Sequence, residues 1–175
     1  FKIKIFADNP LKGCRRQKTR GKYMIEFLKL CKRFEKTSAL ERAALLAEKS
    51  VKVIAELHKL DISGVDPVNV LAAFLIGSVV CDGSVNEMEY LLIYPSLLRI
   101  FGEDFDYASV KAAFGKGQKG RQAVKECTEE MERIFAMLGE DVRRDLFALC
   151  MCAVSIDGKI SLKERMYLRR LASAK

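Results

Sequence analysis

The chain has 175 residues and a mass of 19.8 kDa; half of its residues are apolar, 31% are charged, and its formal charge is +8. This balance suits one folded domain and excludes a disordered or low-complexity chain. The longest apolar run, Val70 to Cys81, is short of the ~20 residues that cross a bilayer.

The opening segment FKIKIFADNP alternates, carries charges throughout and lacks a secretory core, so it reads as a short strand or an extended arm. A start at Phe1 rather than Met is expected of a processed, truncated or excised piece. Residues 1–36 hold 12 Lys/Arg against Asp8, Glu26 and Glu35, a balance of +9, and the remaining residues hold 19 against 20. We therefore divide the chain into a basic N-terminal arm with a first helix, 1–36, and a nearly neutral helical body, 37–175. The arm is a candidate contact for a polyanion, either nucleic acid or a membrane surface, but it lacks aromatic interleaving between Lys12 and Lys22, which favours a solvated, solubilising tail.

Helical periodicity dominates after Gly21. Leu40, Ala44, Ala47, Val51 and Ile54 recur at 4-3-4-3 spacing, which predicts an amphipathic helix over 38–60 with this stripe inward. His58 closes the stripe and is expected to be packed at the core or its boundary. Asp66-Pro67 reads as the cap and first residue of a helix that is apolar on all sides as far as Cys81, hence central. Further helices are expected over 86–101, kinked at Pro95, and over 106–114. Gly115 to Gly120 matches GxGxxG, but a helix precedes it where a dinucleotide site needs a strand, so it is read as a basic loop. Val124, Cys127, Met131, Ile134 and Leu138 form another stripe, with Glu129 and Arg133 set for an ion pair. Asp141 is expected to cap a second apolar helix ending near Ile156, and Ser161 begins the last. The fold class is all-α, a bundle of seven to eight helices.

Six cysteines, Cys14, Cys31, Cys81, Cys127, Cys150 and Cys152, show no CxxC spacing. They are expected to be reduced, mostly packed as small apolar residues in a cytoplasmic protein. The lone His58 has no cysteine at zinc spacing.

The most informative feature is an internal repeat at an offset of 75 residues. Asp66, Asp82, Gly83 and Glu89 fall on Asp141, Asp157, Gly158 and Glu164, with Val85 on Ile160 and Asn86 on Ser161. Two such units would pack with pseudo-two-fold symmetry. The shared motif, DGxΦ[NS]xxE, has two readings. As structure, Gly takes a left-handed turn, the apolar residue plugs it, and Asn or Ser forms a capping box with the Glu at N3. As chemistry, its spacing equals the second half of an EF-hand loop, and Asp82, Glu89, Asp157 and Glu164 become divalent-metal ligands if the loops face each other. Neither loop has a carboxylate at positions 1 or 3, and Lys159 adds a positive charge. Any Ca²⁺ or Mg²⁺ affinity should therefore be no tighter than about 10⁻⁴ M.

At Asp82-Gly83-Ser84-Val85-Asn86-Glu87-Met88-Glu89 and Asp157-Gly158-Lys159-Ile160-Ser161-Leu162-Lys163-Glu164, the chain resembles the TerB-like tellurite-resistance family. The resemblance runs from about Ser38 to the C-terminus. It implies an all-α domain, a divalent-metal site on the acidic residues, and a role in stress response or as a scaffold module with a protein partner. No nucleophile elbow, P-loop or HExxH motif occurs, so a non-enzymatic module is expected. The alternative is a helical anion-binding module acting through residues 1–36.

Overall fold

The computed structural model of the chain describes residues 16–60, 66–80 and 117–174. The described residues are all-helical, in six helices: α1 (Arg16–Glu35), α2 (Ala39–Lys59), α3 (Pro67–Val80), α4 (Gly117–Met137), α5 (Glu140–Val154) and α6 (Leu162–Ala172). The helices expected over 86–101 and 106–114, and the opening FKIKIF, lie outside the described residues.

The two apolar helices form the centre, as expected of segments with no polar side. On α5 every residue from Asp145 to Val154 is buried. On α3, Leu71, Phe74 and Leu75 have no exposed surface. These helices touch where the Cys150 Sγ lies 3.8 Å from the Phe74 carbonyl oxygen. Around this pair, α2 packs against both α5 and α3, and α4 packs against α3. The contact of α4 with α3 is close at Gly77: a Cβ there would stand 2.5 Å from the Met131 Cε of α4, the flexible end of that side chain. The Phe74 and Phe135 rings pack beside it, with centroids 6.3 Å apart.

The start of α3 follows its sequence signals. The Asp66 Oδ1 accepts from the Val68 amide at 3.1 Å, and its carbonyl accepts from the Val70 amide. Asp141, however, is not a cap. Only Leu138 and Gly139 separate α4 from α5, so the chain turns early and Gly139 takes the extended cap position. Asp141 sits in the first turn, beside Arg144 at 3.2 Å, where the helix dipole favours a carboxylate. Likewise Gly117 to Gly120 are the first turn of α4 rather than a loop, and α1 begins at Arg16, before Gly21. Arg133 pairs with Glu130 at 2.8 Å instead of Glu129.

The largest departure concerns α2. Its buried residues are Arg42, Leu46, Ser50, Val53 and Leu57. Of the predicted inward stripe, Leu40 is 82% exposed, Val51 71% exposed, Ala44 and Ala47 exposed, and Ile54 half-buried. His58 is exposed as well. The helix is therefore turned so that Arg42 faces inward, for a reason found in the loop after α5. The stripe on α4 agrees with expectation at Met131, Ile134 and Leu138, all buried; the Val124 and Cys127 side chains are outside the described set.

Helix α1 is not a detachable arm. Phe27, Cys31 and Phe34 are buried in the same core as α5, so no packing seam falls at residue 36. Residues 1–15 lie outside the described residues.

Candidate functional site

The second copy of the repeated motif is fully described. Helix α5 ends at Val154, and the Gly158 amide closes a turn onto the Ser155 carbonyl at 2.9 Å. Gly158 has φ +84°, the left-handed region where a side chain is strained. Ile160 is 3% exposed and anchors the loop in the core. The Asp157 Oδ1 accepts from the Lys159 amide at 2.8 Å, an Asx turn. Ser161 caps α6: its Oγ accepts from the Glu164 amide at 3.3 Å, and its own amide donates to the Glu164 Oε2 at 2.6 Å. The capping box is thus built as the spacing predicts.

Two residues that the motif does not contain hold this loop to the body. The Glu35 Oε1, at the end of α1, accepts from the Ile160 amide at 3.1 Å and from the Arg165 guanidinium at 2.8 Å. Arg42 on α2 donates to the Ile156 carbonyl at 2.8 Å and to the Thr37 carbonyl at 2.6 Å. The Ile156 carbonyl lies in the turn just after α5, and the buried guanidinium supplies its hydrogen bond. This is why α2 turns Arg42 inward. The sequence signal was a second periodic set, Leu46, Ser50, Val53 and Leu57, opened by a charged residue and interrupted by a polar one.

Chemically, the loop offers an exposed carboxylate at Asp157 and a buried one at Glu164, each already accepting a backbone amide. Two carboxylates fall well short of the six to eight oxygens Ca²⁺ takes. The described residues hold no group of three or more His, Cys, Asp or Glu placed to bind a metal. The other two candidates, Asp82 and Glu89, lie outside the described residues. The helix leading to them does approach α6: a Cβ at Gly77 would be 3.6 Å from the Tyr167 hydroxyl, three residues after Glu164.

A second polar cluster joins α2 to α5. Asp145, 8% exposed, accepts from the Lys49 ammonium at 2.6 Å and the Lys52 ammonium at 2.7 Å. Burial alone would raise its carboxyl pKa. The two lysine hydrogen bonds and charges outweigh that and hold it below the usual carboxylate value.

The described thiols are inert by environment. Burial pushes the Cys31 thiol up to about 11 and that of Cys152 up to about 12, and raises Cys150 further still. Cys14 and Cys81 lie outside the described residues. Among the described residues, no helix is long and apolar enough to cross a membrane. Comparison with protein-family models, curated proteins and solved structures finds no match to this chain.

Proposed function

We propose that the chain is a TerB-like, non-enzymatic helical module whose paired DG…E loops form a weak divalent-cation site. One observation carries the reading: the loop over 156–164 is hydrogen-bonded to α1, to α2 and within its own caps, yet leaves the Asp157 carboxylate exposed. One exposed carboxylate is too few for a cation, so on this reading Asp82 and Glu89 of the other copy would supply the remaining oxygens.

A pseudo-two-fold would relate the packing of α2 on α5 to that of α4 on α3, but α2 also packs on α3 and α4 makes no comparable contact with α5 among the described residues. Leu71 and Leu75 stand 75 residues before the buried Leu146 and Cys150. Ser50, Val53 and Leu57 stand 78 before the buried Thr128, Met131 and Phe135. The α3 and α5 positions agree at the offset of 75, whereas α2 and α4 agree only in part and at a different offset, 78. The set Asp82, Glu89, Asp157 and Glu164 would hold Ca²⁺ or Mg²⁺ through carboxylate oxygens. The cation would supply charge neutralisation between the loops. The resemblance, rather than the geometry, suggests stress response or scaffolding as the setting.

Thermal denaturation with millimolar Ca²⁺, Mg²⁺ and Mn²⁺ tests the site by linkage. The wild type should gain stability, and the Asp82→Asn, Asp157→Asn pair should not. A flat response in the wild type would reduce both motifs to capped turns. The alternative, polyanion contact through residues 1–36, narrows to residues 1–15 and the outer face of α1, since Phe27, Cys31 and Phe34 are core.

A further inference from the structure

The C-terminal end of α1 abuts the start of α6, and the outer faces of the two helices meet there. The Glu35 Oε1 accepts from the Arg165 guanidinium at 2.8 Å and from the Ile160 amide at 3.1 Å. At the helical pitch, Leu28, Lys32, Ile25 and Lys36 follow Glu35 around α1 within about the next 100°, away from the buried Phe27, Cys31 and Phe34. Arg169, Leu162 and Met166 follow Arg165 around α6 in the same way, away from the buried Tyr167, Leu168 and Leu171. Lys159 stands in the loop between them. Ile25 is 54% exposed, Leu28 38%, Leu162 74% and Met166 63%. Beside these apolar groups, Lys32, Lys36, Lys159 and Arg169 are exposed and make no ion pair among the described residues. The carboxylates nearby are engaged: Glu35 by Arg165, Glu164 in its capping box, and Glu41 and Asp157 by backbone amides.

We propose that this joint face of α1 and α6 lies on the surface of a bilayer containing anionic lipid. Charge complementarity and the apolar groups together select the occupant. Unpaired Lys and Arg meet headgroup phosphates, while the apolar side chains between them reach the boundary of the acyl chains. The long Lys and Arg stems let both happen at once, because the charge extends beyond its own apolar stem. A single-stranded nucleic acid would be matched by cations together with stacking aromatics. This face exposes none: Phe27, Phe34 and Tyr167 all point inward.

The contact is peripheral and reversible. Each Lys or Arg at an anionic surface strengthens binding roughly fivefold. Salt weakens that part, since it screens exposed charges over about 8 Å at physiological ionic strength. The apolar side chains add a part that salt does not remove. The inference goes beyond the cation site and does not rest on it, since Asp157 takes no part in the contact.

Vesicle co-sedimentation of the full chain, in buffer free of divalent cations, tests the proposal. Vesicles of phosphatidylcholine with about 30% phosphatidylserine should bind the chain, and vesicles of phosphatidylcholine alone should not. Lys159→Glu with Arg169→Glu, both outside the basic segment 1–36, should weaken binding by roughly tenfold or more. Leu162→Ser with Met166→Ser should weaken it by roughly tenfold and leave a remainder that salt abolishes. All four positions are exposed, so both variants should keep the helical circular dichroism and Tm of the wild type. Unchanged binding in the charge variant would place the contact in residues 1–15 and overturn the proposal. Unchanged binding in the Leu162, Met166 variant would reduce the contact to charge attraction alone and overturn it too. So would a wild type that binds duplex DNA or polyglutamate but not the anionic vesicles, or that binds none of them.

Discussion

Replacing Asp145 by alanine should destabilise the fold through the lysine it leaves behind. The Lys49 side chain is 13% exposed and that of Asp145 is 12% exposed, whereas that of Lys52 is 57% exposed. Breaking a fully buried pair costs about 3–5 kcal/mol, because one charge is stranded. Lys49 keeps some access to water, and the exposed Lys52 contributes at most about 1 kcal/mol. The expected cost is therefore about 2–3 kcal/mol, or roughly 5–10 °C in Tm for a chain of this size. Urea and thermal denaturation followed by circular dichroism measure it directly. The repeat suggests the rescue: Val70, 75 residues earlier, is a buried apolar residue at the related position on α3. Asp145→Val with Lys49→Met should recover most of the loss, since a well-packed apolar pair replaces an ion pair at little cost. The pH dependence has a definite sign. A carboxyl held below its unfolded value stabilises above about pH 4 and loses that contribution as pH falls through its folded value. The gap between wild type and Asp145→Asn should therefore close in acid. A cost under about 1 kcal/mol for Asp145→Ala at pH 7, or purely additive effects in the double mutant, would refute the reasoning.

Gly158→Ala should cost about 1 kcal/mol from its left-handed φ alone, because the nearest atom to the added Cβ, the Glu35 carbonyl oxygen, is 3.9 Å away; equilibrium unfolding reads it. Phe34→Ala should cost about 3–4 kcal/mol in the same assay, since the ring is fully buried, and deletion of residues 1–36 should unfold the body rather than spare it. Native thiol labelling of Cys31, Cys150 and Cys152 should be slow and should accelerate only across the urea transition, as mass spectrometry of labelled peptides would show.

Much of the architecture was legible locally. The helices apolar on all sides had nowhere to go but the centre, so α3 and α5 were assignable without knowing their neighbours. Asp66-Pro67 and the Ser161 to Glu164 box carry their own hydrogen-bond partners within a few residues, and Gly158 its own backbone freedom. These features are short-range, and the sequence contains both members of each interaction. Other features were decided by what lay across the fold. Helix α2 carries two sets at helical spacing, one pure apolar and alanine-rich, the other opened by Arg42 and interrupted by Ser50, and periodicity alone favours the purer one. The buried set is the other, because the end of α5 presents the Ile156 carbonyl to α2, and Arg42 meets it from 114 residues away in sequence. Glu35 reaches the Ile160 amide across 125 residues for the same reason: a loop anchored in the core must satisfy its polar backbone there, and the donor or acceptor comes from whichever helix packs beside it. The motif specified its own turn, and the tertiary structure specified what holds that turn and which face of α2 stays free.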